Sequence, residues 1–206
     1  MITALPMQWR TARQQSADEL VVAAHCDPVT ALELLAASPS LVERRSSWGE
    51  SVLEAASHLG NQRLAWRCIE AGASIDLFAA CALGDRRLAM RRFGATSNDA
   101  RGVHGLPLLH FAIVGGSLEL LDLLLEQGVA INPKRAPVSP LHTAVASKAM
   151  SVTRKLLEAG ADPNAPDSMG ATPLDWASDL QGPRSQAARL LIRFGGIAAP
   201  AASAAP

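Results

Sequence analysis

Apolar residues recur at spacings of three and four along most of the chain, which is the period of an amphipathic helix. The clearest apolar face is formed by leucines at Leu120, Leu121, Leu124 and Leu125. Glycine follows such segments and suits the positive-φ position at a helix C-terminus, as at Gly72, Gly128 and Gly160. The pattern therefore predicts a series of short helices separated by turns.

A motif in the second half of the chain repeats at a nearly constant interval. It stands as PLLHFA at 107–112, SPLHTA at 139–144 and TPLDWA at 172–177, so the offsets are 32 and 33 residues. A second motif keeps the same register, because LLLEQGVAIN at 123–132 matches KLLEAGADPN at 155–164. Two motifs in one register indicate an internal repeat.

The first motif also predicts where helices begin. Ser139 can cap a helix with its hydroxyl, and Pro140 follows at the first helical position, where a missing N–H costs nothing. Thr172 and Pro173 repeat this arrangement. The leucine and the alanine of the motif lie three residues apart on one helix face, which makes them candidate core residues.

The two motifs resemble the ankyrin repeat, in which a T-P-L-H-x-A turn opens the first helix and L-L-x-x-G-A-D-x-N closes the second. The resemblance covers about residues 17–196 and implies an all-α fold, an ankyrin-repeat α-solenoid of stacked helix-turn-helix pairs with short β-hairpin turns. A non-repeat segment, 1–16, precedes the repeats, and a disordered Ala/Pro tail, 197–206, follows them. The six expected units are 17–45, 46–76, 77–99, 100–132, 133–164 and 165–196.

Two units depart from the pattern. The third lacks the turn residues that elsewhere precede the first helix, so we expect it to lack the β-hairpin turn, here called the finger. Arg92 falls where the next unit has a buried leucine, so it must either pair with a carboxylate or point outward. The sixth unit inserts Gln181, Gly182 and Pro183 after its motif and is expected to be the C-terminal cap.

Composition narrows the class of protein. The 206 residues carry 19 Lys and Arg and 19 Asp and Glu, so there is no basic field for nonspecific nucleic-acid binding. No apolar run approaches the length of a membrane span, and the N-terminus lacks the pattern of an export signal. Cys26, Cys68 and Cys81 are an odd number without CxxC spacing, which favours a cytoplasmic protein without disulfides.

No catalytic or cofactor-binding motif is present, so we expect a non-enzymatic protein with no cofactor, and an enzyme is the less favoured alternative. His25, His58 and His104 lie in different units without HxxxH spacing, which argues against a metal site. His110 and His142 occupy the motif histidine. In the family, that side chain hydrogen-bonds backbone between adjacent turns.

The resemblance implies a binding function. Ankyrin-like proteins generally bind a macromolecular partner through finger tips and the concave inner-helix surface, so we expect another protein as partner and a monomer when free. An alternative is a delivered effector or inhibitor that uses the same surface against a host or enzyme target. The register gives the expected contact residues as Trp48, Glu50, His58, Arg101, His104, Leu106, Arg135, Val138, Ser168, Met169 and Asp179.

We expect partner contact to centre on the gap left by the missing third finger. The residues expected around this gap are Trp48, Glu50, His58, Arg101 and His104. Its accessible floor is expected to comprise Ala79, Ala82 and Leu83. Trp48 is either an exposed anchor for a partner or a local staple against the first unit, and both interpretations stay open. Trp66 and Trp176 fall on helices and are expected to be packing residues.

Overall fold

The structure is a computed structural model and describes residues 12–94 and 98–199. Within these ranges the chain forms twelve α-helices. It divides into two compact units, Met1–Thr96 and Ser97–Pro206, each with three successive helix pairs. The two helices of every pair pack against each other, and within each unit successive pairs stack. The predicted all-α repeat architecture is confirmed.

The helices of the first unit form two layers. They are α1 (Ala12–Cys26), α2 (Pro28–Ala37), α3 (Val52–His58), α4 (Gln62–Glu70), α5 (Leu77–Ala82) and α6 (Arg86–Phe93). The first helices of successive pairs form one layer, because α3 packs against both α1 and α5. The second helices follow on the other side, where α4 packs against α2.

The second unit repeats this arrangement. Its helices are α7 (Leu108–Val114), α8 (Leu118–Glu126), α9 (Pro140–Ala146), α10 (Met150–Glu158), α11 (Pro173–Gln181) and α12 (Gln186–Arg193). α9 packs against both α7 and α11, and α10 packs against α12. The middle pair is therefore covered on both sides.

The predicted helix starts are confirmed at α9 and α11. Ser139 caps α9 by accepting the backbone N–H of His142, and Pro140 is the first helical residue. Thr172 caps α11 by accepting the N–H of Asp175, whose carboxylate accepts the N–H of Thr172 in return. Each capping box satisfies donors that a helix N-terminus otherwise leaves without a partner.

The core positions predicted from the motif are also confirmed. Leu109, Ala112, Leu141 and Ala144 are each no more than 1% exposed. Alanine presents only a methyl group at the contact, so neighbouring helices can approach closely and stack pair upon pair. The motif thus serves packing as well as helix capping.

The third helix pair has lost its finger, as the sequence predicts. Only residues 71–76 connect α4 to α5, whereas residues 127–139 connect α8 to α9. Asp76 caps α5 directly, accepting the N–H of Ala79 at 2.7 Å. Arg92 is exposed, while the next residue, Phe93, is buried, so the Arg92 side chain points outward.

The repeat domain extends beyond the boundaries expected from the sequence. The N–H of Ile197 donates to Asn164 Oδ1 at 2.8 Å, and the N–H of Ala199 donates to the Asp175 carboxylate at 3.0 Å. Residues 197–199 therefore belong to the last repeat and not to a disordered tail. At the other end, residues 12–16 of the expected non-repeat segment are part of α1. Residues 1–11 and 200–206 lie outside the described residues.

Candidate functional site

The first finger of the second unit is a short hairpin that begins at Arg101. Arg101 forms an antiparallel β-bridge with Pro107, and the N–H of Gly102 donates to the carbonyl of Leu106 at 2.9 Å. His104 lies at the tip with φ of 58°, in the left-handed region, and its side chain is exposed. Leu106 is only 8% exposed, so it supports the finger from inside, and its expected role as a contact residue is wrong.

Hydrogen bonds join consecutive fingers of this unit. The Arg101 guanidinium donates to the carbonyl of Lys134 at 2.7 Å, across 33 residues. Further along, the N–H of Ser168 donates to the carbonyl of Pro137 at 2.8 Å. Because each finger is tied to the next, the finger tips are fixed relative to one another within the second unit.

The third finger of the second unit, which precedes α11, is organised by one carboxylate. Asp167 accepts the backbone N–H groups of Met169 and Ala171 at 2.8 and 2.9 Å, and the indole N–H of Trp176 at 2.9 Å. Burial alone would raise the pKa of Asp167, but these three donors hold it below its ordinary value. Asp167 therefore carries its charge inside the finger, and the tip is held rigidly.

Exposed side chains project from the tips of these fingers. Met169 is 89% exposed, an unusual state for a large apolar residue. Arg135 is exposed on a backbone with φ of 57°, and Ser168 is exposed as well. Asp179 is also exposed but lies on α11 and not on a finger. Val138 is half-buried. The role of these residues in partner contact stays a prediction.

The finger of the first unit differs, because its large side chains turn inward. Arg45 forms a β-bridge with Ser51, and Trp48 lies half-buried against the core of this unit. The indole N–H of Trp48 donates to Glu50 Oε2 at 3.0 Å. Of the two interpretations for Trp48, the structure supports the local staple. Glu50 is 1% exposed, so its predicted place on the contact surface is wrong.

The finger around Trp48 also makes hydrogen bonds to α1. Asp18, on α1, accepts the N–H of Ser47 at 2.5 Å, and the Gln14 side chain donates to the carbonyl of Arg45 at 2.9 Å. The finger around Trp48 is therefore anchored to the N-terminal helix.

Two histidines converge on the carboxylate of Glu50. Glu50 Oε1 lies 3.3 Å from His58 Nδ1 and 3.7 Å from His25 Nε2. The two rings are 5.1 Å apart between centroids and tilted by 48°. His25 Nδ1 donates to the carbonyl of Val21 at 2.8 Å, and His58 Nδ1 also lies 3.1 Å from the carbonyl of Glu54. The result is a cluster of two imidazoles around one buried carboxylate.

The absence of HxxxH spacing argued against a metal site, so the sequence did not predict that His25 and His58 lie close together. His58 follows His25 by 33 positions, which is one repeat period, so stacking of α3 on α1 places equivalent residues side by side. A search for ligands within one helix or turn cannot find such a pair. The sequence signal for this pair is that two histidines are separated by one repeat period.

Two further expectations from the sequence are wrong. Of the residues expected at the floor, Ala79 and Ala82 are each 2% exposed and Leu83 is half-buried, so α5 itself offers no accessible floor. Trp66 is 50% exposed, because the buried stripe of α4 runs through Leu64 and Cys68 and leaves Trp66 on the other side. A partner surface that uses α5 as its base is therefore not available.

The motif histidines have structural partners. His142 Nε2 donates to the carbonyl of Ala171 at 3.1 Å, as the resemblance implies, and its ring meets Trp176 edge-on at 5.0 Å between centroids. Trp176 thus packs as expected. His110 differs, because its Nδ1 lies 2.9 Å from the hydroxyl of Thr143 and so pairs with a side chain. Both histidines link neighbouring repeats.

The cysteines form no disulfide. Cys68 and Cys81 are buried, and burial raises the pKa of each thiol to about 12, so neither is a nucleophile at neutral pH. Cys26 is exposed. Among the helices of residues 12–94 and 98–199, none combines the length and the apolar character needed to cross a bilayer.

Family comparison agrees with the geometry. The family model for ankyrin repeats in three copies matches residues 77–167 and 109–198. These matches cover more than half of the chain, which therefore belongs to the ankyrin-repeat family.

Parts of the chain are also similar to curated proteins. The E3 ubiquitin-protein ligase KEG of Arabidopsis thaliana is 36% identical over 85 residues, which is 41% of this chain and 5% of that protein. The potassium channel AKT1 of the same plant is 40% identical over 72 residues, 33% of this chain and 8% of the channel. Protein phosphatase 1 regulatory subunit 27 of Homo sapiens is 36% identical over 72 residues, 34% of this chain and 47% of the subunit. The chain spans less than half the length of each of these relatives.

Proposed function

We propose that this chain is a non-enzymatic module that binds another protein through the fingers of its second unit. The observation that carries the proposal is Met169, which is 89% exposed at the tip of a finger fixed by Asp167. A large apolar side chain on a preorganised turn can bury its surface in a partner without first ordering the backbone.

The same unit also exposes polar residues. Arg135, Ser168 and Asp179 are exposed and carry a positive charge, a hydroxyl and a negative charge. A small apolar centre with a polar rim is the usual composition of a protein interface. In the first unit, Trp48 and His58 are partly exposed and could add contacts on that unit's own surface.

The relatives support binding over catalysis. Their names describe a ligase, a potassium channel and a regulatory subunit of a phosphatase, and each is similar to this chain in part of its length. Sequence shared by proteins with such different activities is better explained by a common binding role than by a common reaction. The thiols of Cys26, Cys68 and Cys81 suit a reducing compartment, and we propose the cytoplasm.

Affinity capture from native lysate tests the proposed function. The full chain is the bait, and the wild type is compared with Met169→Ser. Ile192→Ser is a matched control, because Ile192 is also apolar and 55% exposed but lies on α12. We expect one protein to be retained by the wild type and the control and reduced about tenfold or more by Met169→Ser. Equal retention by all three would exclude the finger as the contact.

A further inference from the structure

The cluster in the first unit has the chemistry of a metal site. We propose that His25, Glu50 and His58 bind a divalent transition-metal ion, with Zn²⁺ as the representative case. Two imidazoles and one carboxylate form a ligand set that Zn²⁺ uses in proteins, whereas Mg²⁺ and Ca²⁺ prefer oxygen ligands alone. One ligand atom from each residue lies within 4.8 Å of the others.

The distances suit a tetrahedral ion. Bonds of about 2.0–2.2 Å to nitrogen and oxygen place neighbouring ligand atoms about 3.4 Å apart. Glu50 Oε1 lies 3.3 Å from His58 Nδ1 and 3.7 Å from His25 Nε2. The two histidine nitrogens lie within 4.8 Å of each other, so they must come closer when the ion binds.

The hydrogen bond of His25 selects the tautomer that suits metal binding. Its Nδ1 donates to the carbonyl of Val21, so the lone pair of the neutral ring is on Nε2, which faces Glu50. In metal sites, a hydrogen bond from the other ring nitrogen to a backbone carbonyl commonly fixes the ligand in this way. The same bond orients the His25 ring from α1.

His58 must exchange a proton for the metal. Its Nδ1 lies 3.1 Å from the carbonyl of Glu54 and 3.3 Å from Glu50 Oε1, so a proton on Nδ1 points towards both oxygens. Binding through Nδ1 moves the ring proton to Nε2 or releases it from an imidazolium ion. Zinc and the ring proton therefore compete for the same nitrogen, Nδ1.

Residues around Glu50 hold its carboxylate in place. The indole of Trp48 donates to Oε2 at 3.0 Å, and the backbone N–H of Glu50 donates to the Ser46 hydroxyl at 3.0 Å. Oε1 is thereby directed towards the two histidines. Because the carboxylate is 1% exposed, a cation beside it offsets the cost of burying its charge.

A bound ion would fasten three parts of the first unit together. His25 is near the end of α1, His58 is the last residue of α3, and Glu50 belongs to the finger between them. The ion would act in addition to the proposed partner binding, because Met169 and the other finger tips of the second unit take no part in it.

Zinc titration of the full, untagged chain tests this proposal. After metal removal, zinc affinity is measured at neutral pH by competition with a chromogenic chelator. We expect one ion per chain, and about tenfold or more weaker binding after His25→Asn. The His25 side chain is 29% exposed, so this substitution should leave the fold intact, which circular dichroism checks. Millimolar Mg²⁺ should not compete.

Two control variants locate the site. His110→Asn removes a histidine of the second unit that pairs with Thr143, and it should bind zinc as the wild type does. Cys26→Ser removes the exposed thiol next to His25 and should also retain binding. Zinc should raise the melting temperature of the wild type but not that of His25→Asn. Absence of saturable binding, unchanged affinity in His25→Asn, or loss of binding in Cys26→Ser would overturn the proposal.

Discussion

His142 Nε2 donates to the carbonyl of Ala171, 3.1 Å away in the finger of the next repeat. On the other side of the ring, Nδ1 lies 3.3 Å from the N–H of Ser139 and 2.9 Å from its hydroxyl. A ring that donates at Nε2 and accepts at Nδ1 is the neutral tautomer. One side chain thus closes the cap of α9 and fixes the following finger.

Replacing this histidine should destabilise the fold. His142→Ala removes partners from the carbonyl of Ala171 and the N–H of Ser139, and we expect it to lower the free energy of unfolding by about 1–3 kcal/mol. Urea denaturation followed by circular dichroism measures the change. Partner binding by the folded variant should be unchanged. A variant that keeps full stability but loses binding would give His142 a functional role.

The same histidine makes stability depend on pH. Burial lowers the pKa of His142, and this outweighs the Ala171 hydrogen bond and the charges of Asp167 and Asp175, which act to raise it. The unfolded chain therefore binds a proton at a higher pH than the folded chain does. The contribution of His142 to the free energy of unfolding is therefore fully present above about pH 6.5 and is lost as the pH falls below that value.

Urea midpoints measured between about pH 8 and pH 5 test this dependence. The wild type should lose more stability over this interval than His142→Asn, which has no imidazole to protonate. Parallel pH profiles for the two proteins would show that protonation of His142 does not oppose folding.

Truncating a core residue of the repeat motif should destabilise the fold more than replacing His142 does. Leu141→Ala should cost about 2–5 kcal/mol, because Leu141 is 1% exposed and its truncation leaves a cavity between helices. Leu180→Ala is the control, since Leu180 is 52% exposed, and we expect a change within about 0.5 kcal/mol. Similar losses for both variants in urea denaturation would contradict the assignment of Leu141 to the core.

The last repeat should stabilise the repeats before it. Deleting residues 165–206 removes α11 and α12, which cover α9 and α10, so the melting temperature should fall clearly. Deleting only residues 200–206 keeps the hydrogen bond from Ala199 to Asp175, and we expect little change. Differential scanning calorimetry of both truncations makes the comparison, and equal melting temperatures would be incompatible with a capping role.

Features set by local interactions could be predicted from the sequence. The starts of α9 and α11 depend on Ser139, Thr172 and the prolines that follow them, which act within one helical turn. The loss of the finger in the third helix pair could be predicted because only six residues, too few for a finger, separate α4 from α5. These features repeat at a fixed interval, so each copy supports the interpretation of the others.

Features that depend on contacts between unlike repeats could not be predicted in the same way. Glu50 stands at an expected finger tip but is buried because Trp48, itself packed on the core, holds its carboxylate inside. The proximity of His25 and His58 requires the stacking of α1 on α3, which a search for ligands within one helix or turn does not consider. Register alone gives the position of a side chain along the repeat but not the direction in which it points.

Site-specific photo-crosslinking tests directly whether the fingers of the second unit bind a protein. A photoreactive amino acid replaces Met169 in one variant and Ile192 in another, both exposed apolar positions. After irradiation in native cells, we expect a covalent adduct with a single protein from position 169 and none from position 192. Absence of an adduct at 169, or the same adduct from both positions, would contradict this expectation.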